Sequence, residues 1–183
     1  MSNFCWEQFA MAEARTQRDW WKAAIVAVIA IEVLGGLSGW VSNSGYGNGW
    51  FDSLRKPSFM PPGWAFGLIW PILYAMLGAA LAMIVAEPRS NLRRTALILF
   101  FVQLLLNFAW SPIFFAGHDI GLAKIVIFAM IALAAAAAGQ FTRIRGTAGL
   151  LLVPYIAWLA FAATLTVTIQ RLNPDAGRSL LGL

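Results

Sequence analysis

The sequence predicts an all-α integral membrane protein, a five transmembrane helix bundle with a long loop between helices 1 and 2. Three observations predict it. Sixty per cent of the 183 residues are apolar and 11% are charged, against about 45–50% and 25% in soluble domains. A soluble fold of this length could not cover so much apolar surface, and a disordered chain would not carry it. The apolar residues fall into five stretches, each close to the ~20 residues that cross a ~30 Å hydrocarbon core. The connections between stretches are short and polar, except for the Gly-, Asn-, Ser- and Pro-rich segment from Ser42 to Gly63.

Residues 1–22 read as an N-terminal extension that lies on the membrane surface or is partly ordered. They mix charges with Phe4, Trp6, Phe9, Trp20 and Trp21, and lack the short apolar region of a cleaved signal peptide. The membrane domain is expected over residues 23–173. Span one, 23–41, carries Glu32 and the Gly35-x-x-x-Gly39 pair. Span two, 64–86, contains Pro71, span three, 94–115, contains Pro112, and span five, 149–169, contains Pro154. A proline is tolerated in a span where neighbours satisfy the carbonyl it frees. Span four, 121–141, carries the Ala134–Ala138 run, whose thin surface permits close helix approach. Residues 174–183 form a C-terminal tail. Loops as long as the Ser42–Gly63 segment are often lids or binding loops.

Lys and Arg are biased to one side. Arg15, Arg18, Lys22, Arg89, Arg93, Arg94, Arg143 and Arg145 face Arg55, Lys56, Lys124, Arg171 and Arg178, which favours the N-terminus inside. The net charge of +5 reflects these flanks and does not imply nucleic-acid binding. The lone Cys5 excludes an intramolecular disulfide. One histidine, His118, gives no metal or haem site, and no nucleophile–base pair is visible. Conventional acid–base catalysis is therefore not expected.

Three stripes could carry function. Gln103 and Asn107 are four apart in span three, followed by Trp110 and Ser111, all on one helical face. Such a face is either an interhelical hydrogen-bonding surface or a pocket wall. Phe66, Trp70 and Tyr74 repeat every four residues in span two, and Tyr155, Trp158, Ala162, Leu165 and Thr166 share a face of span five. Aromatic stripes are usually packing, but two of them beside a Gly/Pro-rich loop suit a cavity for a flat apolar ligand, since indole faces stack on π systems. Nine Trp against three Tyr exceeds what an interfacial belt explains. Glu32 reads either as a proton- or cation-binding carboxylate or as a protonated group bonded to a neighbouring helix. The absence of a Lys, Arg or His at its depth tilts the reading to the second.

The run Trp50-Phe51-Asp52-Ser53-Leu54-Arg55-Lys56-Pro57, then Pro61-Pro62-Gly63-Trp64 and Ile69-Trp70-Pro71-Ile72-Leu73-Tyr74, resembles the signature of the tryptophan-rich sensory protein / mitochondrial translocator protein family (TspO/MBR), also called the peripheral benzodiazepine receptor. Gln103–Trp110 with Phe114-Phe115 resembles its third-helix motif, and Leu152–Ala162 its fifth. The resemblance implies a five-helix bundle, often a homodimer, with a pocket under the first loop. It implies binding of porphyrins such as protoporphyrin IX, and in some members of sterols and benzodiazepine-site ligands, with no obligatory cofactor. Trp70, Asn107 and Trp158 match pocket positions, Trp50 and Pro57 the lid, and Ala162 and Leu165 the pocket floor. Some bacterial members degrade porphyrin in light, and the matched residues are Phe51, Trp70 and Trp158. Phe51 stands where some relatives carry Tyr, so it offers no phenolic hydroxyl. Thr166 stands where many carry Asn. No Lys or Arg follows Tyr155 within five residues, so the sterol-recognition pattern of animal members is missing. The expected function is a membrane-embedded tetrapyrrole binder that senses or regulates porphyrin handling. The alternatives are light- and oxygen-dependent porphyrin breakdown, with Trp70 and Trp158 as candidate reactive residues, and transport of porphyrin, sterol or another amphiphile.

Overall fold

A computed structural model describes residues 20–177. The expected surface extension therefore lies mostly outside the described residues, as do Arg15, Arg18, Arg178 and most of the C-terminal tail. Trp20, Trp21 and Lys22, expected in the extension, instead form the first turn of α1, Trp20–Val41. The loop then holds a short helix, α2, Gly49–Ser53. Next come α3, Gly63–Val85, and α4, Asn91–Ser111, which continues through a π-helical turn over Pro112–Ala116. The chain closes with α5, Ile120–Ile144, the single turn of α6, Gly146–Leu150, and α7, Val153–Leu172. Among the described residues five helical segments are long and apolar enough to cross a bilayer, α6 and α7 together forming the fifth. The protein is a multi-pass integral membrane protein.

Local chemistry fixes the ends. Ser90 caps α4 by accepting from the Arg93 amide, and Asp119 caps α5 by accepting from the Leu122 amide. Pro112 explains the π-helical turn. It has no N–H for the Phe108 carbonyl, and the Ser38 hydroxyl of α1 donates to that carbonyl instead. The Gly117 amide then closes onto the Pro112 carbonyl at 2.8 Å, a five-residue step.

The spans form a ring in the order one, two, five, four, three. α1 packs along α3 and touches α4; α4 lies along α5, and α5 along α7. Lipid tails are as apolar as Leu, so close approach between helices rests on small residues. Ala134, Ala137 and Ala138 of α5 are buried, beside the stacked rings of Phe100 and Phe141 at 5.5 Å. Gly78 does the same for α3, because a Cβ there would strike the backbone of Val28. Span two meets span five mainly through α6. That contact lies at the end of the bundle opposite the long loop, where the buried alanines also cluster. Toward the loop α3 and α7 make few contacts, and the interior opens.

Candidate functional site

The loop-side half of the bundle encloses a cavity of about 540 Å³, within the ~300–1,000 Å³ of small-molecule sites. All five spans and the loop line it. From Gly63 to Tyr74 along α3 it extends about 16 Å, roughly half the hydrocarbon thickness.

The loop forms its roof. Gly45 and Gly47 take φ of +99° and +95°, which side chains disfavour, and turn the chain into α2. Asn48 caps α2 by accepting from the Phe51 amide at 3.0 Å, and its Nδ2 donates to the Asn43 carbonyl. The Lys56 ammonium donates to the Phe51 carbonyl at 2.8 Å and sits 4.7 Å from the Phe51 ring. The roof is fastened to span five by a reciprocal pair: the Arg55 amide donates to Asn173 Oδ1 at 2.8 Å, and Asn173 Nδ2 donates to the Arg55 carbonyl at 2.9 Å.

Of the residues singled out in the sequence, Phe51, Trp70, Asn107, Trp110, Trp158, Ala162 and Leu165 line this one cavity. Phe51 is buried from the roof side, edge-on to Phe115 at 5.2 Å and to Tyr46 at 5.7 Å. Trp70 comes from α3 and Trp158 from α7, the two helices that diverge here. Phe66 meets Trp158 edge-on at 5.7 Å, and Trp70 leans on Tyr74 at 5.2 Å. The Trp158 indole N–H is buried and has no acceptor among the described residues. Trp110 lines the cavity, stacks on Phe114 at 4.9 Å, and donates its N–H to the Ala123 carbonyl at 3.0 Å.

Three expected site residues lie elsewhere. Trp50 does not line the cavity. Its ring stacks on His118 at 4.4 Å and its N–H donates to the Ala176 carbonyl at 3.1 Å, so it fastens the roof from outside. Consecutive residues of a helix point to different faces, and Phe51 takes the inward position. Pro57 is buried in the loop but also stands off the cavity. Gln103 is fully buried behind it, because one helical turn separates it from Asn107 toward the packed half.

Asn107 touches the cavity, but its amide is engaged. Tyr74 donates to Asn107 Oδ1 at 2.8 Å, Asn107 Nδ2 donates to the Tyr155 hydroxyl at 3.1 Å, and Tyr155 donates to Gln103 Oε1 at 2.7 Å. This chain ties spans two, three and five together below the cavity. Asn107 thus lines the cavity while one acceptor position of its Oδ1 and one N–H of its Nδ2 are engaged between helices. The two tyrosines were not singled out as partners of the amides. The signal was available, since two of only three Tyr in the chain stand within spans, where a hydroxyl needs a partner. Glu32 lines the cavity, and none of the hydrogen bonds or ion pairs among the described residues involves its carboxylate. The second reading of Glu32, a bond to a neighbouring helix, is not what the structure shows. No cluster of metal-ligating side chains occurs among the described residues.

A five-span helical membrane bundle, with an aromatic cavity in one half and a fastened loop above it, defines the class. The TspO/MBR family profile matches residues 24–172, and the chain belongs to that family. It is 40% identical over 131 residues to the tryptophan-rich protein TspO of Chlorobaculum tepidum, covering 68% of this chain and 80% of the relative. It is 36% identical over 151 residues to the translocator protein of Sus scrofa, covering 81% and 89%. It is 36% identical over 124 residues to the tryptophan-rich sensory protein of Cereibacter sphaeroides, covering 68% and 77%.

Proposed function

We propose that the cavity binds a flat, largely apolar tetrapyrrole such as protoporphyrin IX, and that the protein senses or regulates porphyrin handling. One observation carries the proposal: two indoles, Trp70 and Trp158, from helices that diverge, line a single roofed cavity in the membrane interior. Indole faces in an apolar site suit a π macrocycle. Buried polar atoms normally have partners, and the unpartnered Trp158 N–H offers a donor to a polar edge of the ligand. A relative whose name includes "sensory" agrees with a sensing role.

The test is a titration of protoporphyrin IX in the dark, read by quenching of tryptophan fluorescence. Aromatic stacking contributes about 0.5–1.5 kcal/mol per pair, so replacing both Trp70 and Trp158 by Leu weakens binding roughly 5- to 150-fold. Unchanged affinity in a double variant with wild-type circular dichroism would sink the proposal. Loss of porphyrin absorbance that needs light, oxygen and this protein would shift the reading to degradation.

A further inference from the structure

A second feature lies at the opposite end of the bundle, where α3 gives way to α4. An open groove of about 790 Å³ is lined there by Arg89, Arg93 and Arg94, and below them by apolar residues of α4 that include Ile98, Phe101 and Leu105. We infer that this groove binds one anionic phospholipid, its phosphate among the three guanidinium groups and an acyl chain along α4.

Among the described residues the charge is uncompensated. Glu87, the nearest acidic residue in sequence, pairs with Arg145 at 3.5 Å. Arg93 is held in place by donating from Nη1 to the Glu87 backbone carbonyl at 2.9 Å, yet its Nε is buried without an acceptor. Arg89 and Arg94 are exposed, with no side-chain hydrogen bond or ion pair among the described residues. Guanidinium groups bind phosphate through paired N–H donors, and basic pockets at the ends of membrane helices select acidic head groups. The apolar half supplies the second determinant. Ile98, Phe101 and Leu105 are all exposed and, at spacings of three and four, share one face. From Ile98 to Leu105 they offer a strip of about 10 Å running into the bilayer. A free phosphate would use the arginines alone; a zwitterionic lipid would use the strip but bring a cation to the arginines. Only an anionic lipid matches both halves.

Native mass spectrometry of the full chain in a neutral detergent tests this, with equimolar phosphatidylglycerol and phosphatidylcholine of matched acyl length. The expected result is one phosphatidylglycerol retained in preference to phosphatidylcholine. Arg89→Gln with Arg94→Gln should reduce that retention roughly 30-fold, as two interfacial charges are removed. Arg89→Lys with Arg94→Lys should keep most of it. Lys22→Gln with Arg143→Gln removes the same charge from the same end but outside the groove, and should change retention less than about threefold. Equal losses in the two neutralised variants would mean diffuse surface charge and overturn the proposal. So would displacement of the lipid by an equal concentration of glycerol phosphate, or a lipid-free dimer whose contact covers α4.

Discussion

Replacing Asn107 by Leu should destabilise the bundle, and a second substitution at Tyr74 should then partly restore it. Asn107 makes two interhelical hydrogen bonds, to Tyr74 at 2.8 Å and to Tyr155 at 3.1 Å. Such bonds average about 0.6 kcal/mol each in membrane bundles, so their loss costs about 1 kcal/mol. The larger effect is what remains. Tyr155 still donates to Gln103, but the buried Tyr74 hydroxyl has lost its acceptor, at about 1–3 kcal/mol. Asn107→Leu should therefore cost about 2–4 kcal/mol. Tyr74→Phe alone removes one bond and should cost about 1 kcal/mol. In the Asn107→Leu background the same change removes the orphaned hydroxyl and should return about 1 kcal/mol or more. The sign of the Tyr74→Phe effect thus reverses with the residue at 107. Denaturing-detergent titrations in mixed micelles, followed by far-UV circular dichroism, give the four midpoints of the cycle. If Tyr74→Phe lowers stability equally in both backgrounds, Tyr74 and Asn107 are not coupled and the network reasoning is wrong.

Ser38→Ala should cost about 1–3 kcal/mol by leaving the Phe108 carbonyl without a donor. In a Pro112→Ala background, where a backbone N–H is restored at position 112, it should cost less than about 0.5 kcal/mol; equal costs in the two backgrounds would refute the substitution of a hydroxyl for the missing amide. Asn173→Ala removes the reciprocal pair with Arg55 and should speed amide exchange across residues 42–62 by roughly 5- to 30-fold, as about 1–2 kcal/mol of local stability is lost. Unchanged exchange would show that the roof is held by other contacts.

The spans were legible because bilayer thickness constrains them directly. Each expected stretch lies within a few residues of an observed helix, and Trp40 and Trp64, 79% and 71% exposed, stand at helix ends as an interfacial belt requires. Departures arise where side chains, rather than hydropathy, decide. Trp20, Trp21 and Lys22 extend α1 although they interrupt the apolar pattern, because backbone bonds continue to close while aromatic and basic groups reach the interface. The π-helical turn after Ser111 was visible only as a proline; its partner hydroxyl comes from 70 residues earlier in the chain. The helix inside the loop depends on Asn48 and Lys56 folding back on Phe51, a local closure that Gly-rich composition conceals.

Helical periodicity identifies a face but not the neighbour it meets, and this limit explains the site. Trp70 and Trp158 were expected at a cavity from their aromatic stripes, and both line it. Gln103 and Asn107 share a face with Trp110, yet that face changes character along its length. At Trp110 it looks into open interior; at Gln103 it has passed into the half where span two meets span five through α6. Asn107 stands at the transition and serves the packed half, because two tyrosine hydroxyls from different spans reach it there. In hydrocarbon a buried amide near two hydroxyls bonds to them before it can serve anything that enters later. The polar groups left for a ligand are therefore those without such neighbours. Among the residues lining the cavity these include the Glu32 carboxylate and the Trp158 N–H. The proposed recognition accordingly draws on the indoles and a few isolated polar atoms, while the amides of Gln103 and Asn107 tie spans two, three and five together at the base of the cavity.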